Sequence, residues 1–547
     1  MKIAAAVFAD FQETFLGGPA QLNALLRGRP VLEHLLIRLA RVSGLDQRCL
    51  CVRPRDSDVA RAAVANLGLQ ALVDVLPIDD GARPRRGLIR SARKWNLAGW
   101  RGSPLATTWF DEFVEPLTVG RVLDHYRCHH LLCLEGHQAA LDVGITDGML
   151  AYRREDPPDA QFIFTQAPPG LAGVILSREI TRELLAKNLP LGITLAYRPE
   201  APQPDLITKP HCHRVAPELI HTALRLNADT IRARELLTAG WQALGNDCDG
   251  KSLCNWLRGN GETAAGKLPL EIELELTTSD PLPDTRLRPR GTRIPARELC
   301  DVESVGRLAT ELAAYDDRAI VIAGHGDPLR HPRFAEICRI IRASGVGTLG
   351  ITTPLVAISD ENFDAFFESA IDVVEVQLDA NSAATYQTIH GADHFERVLA
   401  NIQRIQERRQ ARQSPQPLIV CSLTRCAANL GELEEFYDRW IRQTGWAVIH
   451  GYNDFDGRLA ADPLLRLTPP NREACRRLTR RMMLLADGMT PQCSQDVTGK
   501  TSFGNWTQTP LVQLWAGRGL TELRQDHAAR AWKRHAACRN CGEWFRP

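Results

Sequence analysis

The sequence predicts an α/β protein with two parallel sheets, and three features carry that prediction. Short apolar runs alternate with amphipathic helical stretches from the start of the chain. The alternation loosens near residue 215 and begins afresh near residue 270. It stops near residue 465, where turns and cysteines take over. Strand–helix alternation of this kind builds parallel sheets, because a right-handed helical crossover must return the chain to the same edge.

The first series opens with KIAAAVFA at residues 2–9, a run apolar enough for a buried central strand. PVLEHLLIRLARV at 30–42 has helical spacing, RCLCVRP at 48–54 is a second strand, and HHLLCLEG at 129–136 a third. QFIFTQ and LAGVIL continue the scheme. These place a parallel-sheet domain over residues 1–215, followed by a helical linker over 216–268 that ends in the polar, glycine-containing LRGNGETAAGKLP.

The second series begins with EIELELT at 271–277. The strands AIVIAGHGDPL, GTLGITTPL, VVEVQLDA and PLIVCSLT follow, separated by the helices VESVGRLATELAAY, FAEICRIIRAS, DAFFESA and FERVLANIQRIQERRQ. Five or so such units predict a partial (β/α) barrel of the TIM type over 269–465. Residues 466–547 form a small cysteine-containing extension.

The bulk numbers narrow the function classes. The chain has 547 residues, 44% hydrophobic and 24% charged, with 66 Lys plus Arg against 65 Asp plus Glu. That balance supplies no global field toward nucleic acid or an anionic membrane. No run of about 18 apolar residues marks a membrane span, and the apolar N-terminal run is interrupted by Asp10, unlike a leader peptide. A cytoplasmic protein is expected, and its fifteen cysteines are then mostly reduced, buried thiols. Cys538-Arg-Asn-Cys541 is the tight pair, a knuckle that can place both sulfurs on one metal.

Residues 270–547 resemble the radical SAM family with a SPASM-type extension. The resemblance rests on Glu275-Leu-Thr277 at a strand end, on Gly324-His-Gly-Asp-Pro-Leu-Arg-His-Pro332, and on Val376-Gln-Leu-Asp-Ala380 followed by Thr385-Tyr386 and Ile389-His-Gly391. It implies that Gly324, Gly326, Asp327 and Pro328 meet S-adenosylmethionine. It also implies a Cys-x3-Cys-x2-Cys hook for a [4Fe–4S] cluster after the first strand. At that spacing stand Asp280, Asp284 and Leu287, with no cysteine between Cys254 and Cys300. Carboxylates are poor substitutes for thiolates on such a cluster and leucine is no ligand, so the radical-generating cluster is expected to be absent and no residue is assigned as catalytic.

The extension keeps what the hook lacks. Cys475, Gly488 and Cys493 match the family's auxiliary-cluster spacing, and Cys538 and Cys541 complete a set of four. Four thiolates suffice for one auxiliary [4Fe–4S] cluster or a zinc site. The expected role is a binding or accessory protein, partnered by an active paralogue, a peptide or a nucleotide-sugar. An active radical maturase and a nucleotide-sugar transferase are the alternatives.

The transferase alternative comes from a weaker resemblance. Residues 1–210 resemble the GT-A-like nucleotidyltransferases through KIAAAVFAD, Gly17-Gly18 and Gly28-Arg-Pro-Val-Leu-Glu-His34. The loop Phe11–Pro19 supplies no basic residue for a triphosphate, and Leu134-Glu-Gly-His137 stands where a Mg²⁺-binding Asp is needed, leaving Glu135 or Asp142 to compensate. Arg93-Lys-Trp-Asn-Leu-Ala-Gly-Trp-Arg101 reads either as a sugar- or nucleotide-binding groove or, more commonly, as a loop whose tryptophans anchor to the core. Cys212, flanked by His211 and His213, is assigned a structural role because alternate strand residues face opposite ways.

Overall fold

The structure is a computed structural model of the full chain. It describes all residues except 80–84, 156–159, 203, 456, 463, 465, 466 and 547. The chain divides into two compact units, Met1–Thr263 and Ala264–Pro547.

Unit 1 is built on six strands: β1 (Ile3–Phe8), β2 (Gln47–Val52), β3 (Asp74–Pro77), β4 (His130–Glu135), β5 (Phe162–Ile163) and β6 (Val174–Ser177). Their order is β3-β2-β1-β4-β6-β5. The first four are parallel, while β6 runs antiparallel to β4 and to β5. All six residues of β1 are buried because both sheet faces are covered, so IAAAVF needs no polar alternation. The sheet is therefore parallel where the βα alternation is clear, with an antiparallel edge that the sequence reading did not separate.

The segment expected as a linker is helical but not free-standing. Its helices Ile231–Leu244 and Gly250–Gly259 contribute Leu236, Leu237, Trp241, Leu253, Cys254 and Leu257 to the core of unit 1. The polar stretch after them deceives because it marks the end of this helical layer, where the second unit starts.

Unit 2 holds seven parallel strands: β7 (Glu271–Glu275), β8 (Ala319–Ala323), β9 (Thr348–Thr353), β10 (Val373–Gln377), β11 (Leu418–Thr424), β12 (Ala447–His450) and β13 (Arg481–Leu484). The order β12-β11-β10-β9-β8-β7-β13 is that of a partial barrel. Strand β13 was not expected: RMMLL sits in the extension, yet it pairs with β7 from Arg481↔Glu271 to Leu484↔Leu274. A hairpin of β14 (Met489–Pro491) and β15 (Ser502–Asn505) follows.

Strand alternation sets the chemistry of the barrel faces. Ile272, Leu274, Ile320, Ile322, Leu349 and Ile351 share the buried outer face. The inner face carries Glu271, Glu273, Glu275, Glu375, His450 and Arg481. Three of these inner-face carboxylates are ion-paired within the protein: Glu271 with Arg481, Glu275 with Arg297 and Glu375 with His450. Among the described residues no helix is long and apolar enough to cross a membrane.

Candidate functional site

The loop after β7 is where a cluster hook belongs, and it is closed by arginines. Asp280 accepts from the Leu282 amide at 2.7 Å and from Arg290 Nε at 2.8 Å. Arg290 also donates to the Gly324 carbonyl at 3.1 Å. Both members of the pair are buried, with side chains 4% and 6% exposed. Leu287 packs against Ile389 and Cys426, and Asp284 faces solvent. The three positions thus hold an ion pair, an exposed carboxylate and an apolar plug. None of them presents a soft donor toward iron, so the residues do not fit a [4Fe–4S] cluster.

Two further ion pairs fill the same barrel end. Glu275 is fully buried between Arg297, at 3.0 and 3.3 Å, and His325, whose ring nitrogen lies at 2.8 Å and whose amide donates at 2.9 Å. Burial favours its neutral form, but His325 and Arg297 outweigh burial and hold its carboxyl below the usual range. Arg288 donates to both oxygens of Asp379, at 2.6 and 3.1 Å. His390, within 3.7 Å of the same carboxylate, accepts or shares a hydrogen bond with Thr285. Sequence reading missed Arg288, Arg290 and Arg297. The cations crowded into RLRPRGTRIPAR, just past the vacant hook spacing, were the available signal.

The turn expected to meet S-adenosylmethionine is engaged inside the protein. A Cβ on Gly326 would lie 2.3 Å from the Thr277 carbonyl oxygen, and one on Gly324, at φ +104°, 2.7 Å from Glu275 side-chain carbons. Both glycines are therefore required by close approach to the β7 exit. Asp327 is buried, accepts from Thr353 Oγ1 at 2.8 Å and the Leu329 amide at 3.2 Å, and Pro328 is buried beside it. Burial, with Asp280 nearby, pushes the Asp327 carboxyl up to about 7. A carboxyl held there is a weak partner for an ammonium.

The four cysteines of the extension lie within electrostatic reach of one another, but among the described residues they do not form a group arranged to hold a metal ion. Cys475 precedes the turn Arg476–Thr479, Cys493 follows β14, and Cys538 and Cys541 flank the end of the short helix Ala536–Arg539. Gly488 between the first two, at φ +90°, leaves room for Asn505, whose Oδ1 a Cβ would meet at 2.5 Å. Every pair among the four thiols is close enough for their charges to interact. Burial first, then the neighbouring thiols, raises Cys475, lifts Cys493 to about 11 and Cys538 to about 12.

Two donors point at the sulfurs: Gln492 Nε2 lies 3.0 Å from Cys538 Sγ, and the Glu543 amide 3.3 Å from Cys541 Sγ. Among the described residues no group of three or more His, Cys, Asp or Glu side chains is arranged to hold a metal ion. The donor set fits a thiophilic group, an iron–sulfur cluster or Zn²⁺, with Gln492 and Glu543 supplying hydrogen bonds to its thiolates.

Unit 1 has a cleft of about 580 Å³ at the carboxyl ends of β1, β2 and β4, where open α/β sheets bind ligands. Its basic residues come from outside the loop Phe11–Pro19. Arg86 pairs with Glu13 at 3.0 Å, Arg90 donates to the Phe15 carbonyl at 2.6 Å, and Arg53 pairs with Asp10 at 2.9 Å. Neither acid proposed for a metal is available. Glu135 accepts from the His137 amide at 2.8 Å, the His137 ring at 2.7 Å and Asn227 at 2.9 Å. Asp142 caps a helix through the Ile145 amide at 2.8 Å and accepts from the Gly250 amide at 2.6 Å.

The stretch Arg93–Arg101 is an anchor, since fully buried Arg93 donates to Glu112, Ser103 and the Gly99 carbonyl. His211 stacks on Phe162, while Cys212 is buried and bridges to Phe164.

Comparison with known proteins follows the same division. Residues 273–413 match the Radical SAM superfamily and residues 475–542 the SPASM iron–sulfur cluster-binding domain. An uncharacterized protein of Treponema pallidum (strain Nichols) is 26% identical over 300 residues, 52% of this chain and 81% of its own length. The GTP 3′,8-cyclase of Chlorobaculum tepidum (strain ATCC 49652 / DSM 12025 / NBRC 103806 / TLS) is 35% identical over 106 residues, 19% of this chain and only 32% of its own.

Two solved structures are similar at low identity and low TM-score. BtrN in complex with AdoMet and 2-DOIA has 14% identity and a TM-score of 0.35, covering 50% of this chain and 93% of its own. A cytidylyltransferase from Leptospira borgpetersenii serovar Hardjo-bovis (strain JB197) has 15% identity and a TM-score of 0.34, covering 48% and 96%. The two family matches together span less than half of the chain.

Proposed function

We propose that this chain is a divergent Radical SAM/SPASM protein that does not hold the radical-generating cluster and serves as a binding or accessory protein, alongside an active paralogue. The observation that carries this reading is the buried Asp280–Arg290 pair, with Leu287 as a plug, where three thiolates are needed. Cys475, Cys493, Cys538 and Cys541 hold one auxiliary metal group. An iron–sulfur cluster there supplies one-electron transfer; zinc supplies structure alone. Gly324, Gly326, Asp327 and Pro328 are committed to the fold of the β8 exit, and S-adenosylmethionine is not cleaved.

The test is metal analysis and activity of protein purified and reconstituted without oxygen. At most about four irons per chain, one cluster's worth, and no 5′-deoxyadenosine on reduction with S-adenosylmethionine are expected. Formation of 5′-deoxyadenosine, or about eight irons, overturns the reading. Unit 1 is expected to release no pyrophosphate from CTP or UTP with Mg²⁺ and sugar phosphates, because Glu135 and Asp142 are already engaged.

A further inference from the structure

Cys475 stands between two arginines that turn inward with it. Arg472, Cys475 and Arg477 are half-buried, while Glu473, Ala474 and Arg476 between them are exposed. Arg472 Nη2 donates to the Cys538 carbonyl at 2.6 Å, and its Nη1 to the Arg539 carbonyl at 3.3 Å. The Cys538 carbonyl also accepts from the Cys541 amide at 3.3 Å, which closes the knuckle turn. The Arg472 guanidinium lies over the Trp532 ring, 4.8 Å from its centroid, on the approach to the same short helix. On the other side of Cys475, Arg477 Nη1 donates to Ser494 Oγ at 3.2 Å, next to Cys493.

The two ties span 66 and 17 residues of chain, so neither is a local turn. They join the three segments that carry the four thiols. A charged donor on a carbonyl is a strong tie, and the planar fork of arginine can serve two successive carbonyls where a lysine cannot. The Cys475 backbone is held as well, its amide donating to His527 Nδ1 at 3.2 Å. Gln492 and the Glu543 amide touch sulfur itself; Arg472 and Arg477 instead fix the backbone and loop from which each sulfur projects.

We propose that Arg472 and Arg477 are the positioning residues of the thiol quartet. Arg472 holds the Cys538–Cys541 knuckle against the Cys475 segment, and Arg477 holds the Cys493 loop against it from the other side. The proposal rests on the reading that the four thiols share one metal group, and adds which residues set their spacing. Segments tied in advance leave less ordering to be met when a metal binds.

Alkylation of the reduced, metal-free full chain with N-ethylmaleimide, followed cysteine by cysteine by mass spectrometry, tests the ties without any metal. In Arg472→Ala, Cys538 and Cys541 are expected to react about tenfold faster with Cys493 unchanged, and in Arg477→Ala the reverse. Arg472→Lys, which keeps the charge and loses the fork, should behave as Arg472→Ala. Rates equal to the parent's overturn the proposal. So does an acceleration spread evenly to the buried barrel thiol Cys338, which general loosening would give. Titration with Co²⁺ alone then reads the metal site through thiolate-to-cobalt absorption. Each alanine variant is expected to bind about tenfold more weakly than the parent, as loss of a residue supporting the ligands does. Parental affinity in both variants overturns the positioning role. A parent that gives no cobalt signal overturns the metal reading instead, while the alkylation pattern still decides the ties.

Discussion

The barrel mouth and the thiol quartet are two halves of one unit, and they have been resolved in opposite ways. At the mouth three buried carboxylates have ion-pair partners: Asp280 with Arg290, Glu275 with Arg297 and His325, and Asp379 with Arg288. In the extension four thiols lie within electrostatic reach of one another without forming a metal-binding group among the described residues, and the donors beside them, Gln492 and the Glu543 amide, aim at sulfur. Internal closure of a polar site removes the driving force for a ligand, because binding must first break what is already satisfied. Convergent soft donors without a closing partner leave that driving force in place.

The sharpest way to break the comparison is to remove thiols. Cys538→Ser with Cys541→Ser is expected to cut metal content at least tenfold, measured by elemental analysis of anaerobically purified protein. Asp280→Asn should leave it unchanged. If the first variant keeps its metal, the quartet is not the site.

The buried pair at the mouth gives the next effect. Asp280→Asn leaves Arg290 charged and buried without its partner, and is expected to destabilise by about 3–5 kcal/mol. Replacing both, Asp280→Leu with Arg290→Met, should restore most of that in urea denaturation, since an apolar pair avoids the desolvation of both ions. A double variant no more stable than the single would mean that Arg290 acts mainly through the Gly324 carbonyl.

A smaller effect separates fold from ligand at the turn. Gly326→Ala pushes a methyl group to within 2.3 Å of the Thr277 oxygen and is expected to cost about 1–3 kcal/mol of stability. Unchanged stability would show that the turn yields, and would reopen it as a ligand site.

A pH dependence at Asp327 tests the same turn by titration. Its folded carboxyl lies near 7, above its ordinary value of 3.8. The native state therefore holds the proton that the unfolded chain releases. This stabilisation is full below about pH 4 and is lost as pH rises toward 7. Asp327→Asn should flatten the stability profile across that window, and a profile identical to the parent's would refute the assignment.

The sequence by itself determined the two α/β series, the break near residue 270, the missing cysteine hook and the four spaced cysteines of the extension. Each of these is local: periodicity, spacing or the identity of a ligand atom can be read one stretch at a time. Tertiary structure decided what replaced the hook, because Arg290 and Arg297 act on carboxylates that only chain folding brings near them. It also decided that RMMLL is a barrel strand, since a short apolar run becomes a strand only when an edge such as β7 is offered. The helices over 216–268 joined unit 1 for a related reason: Trp241 and Leu253 find a core across long sequence distances.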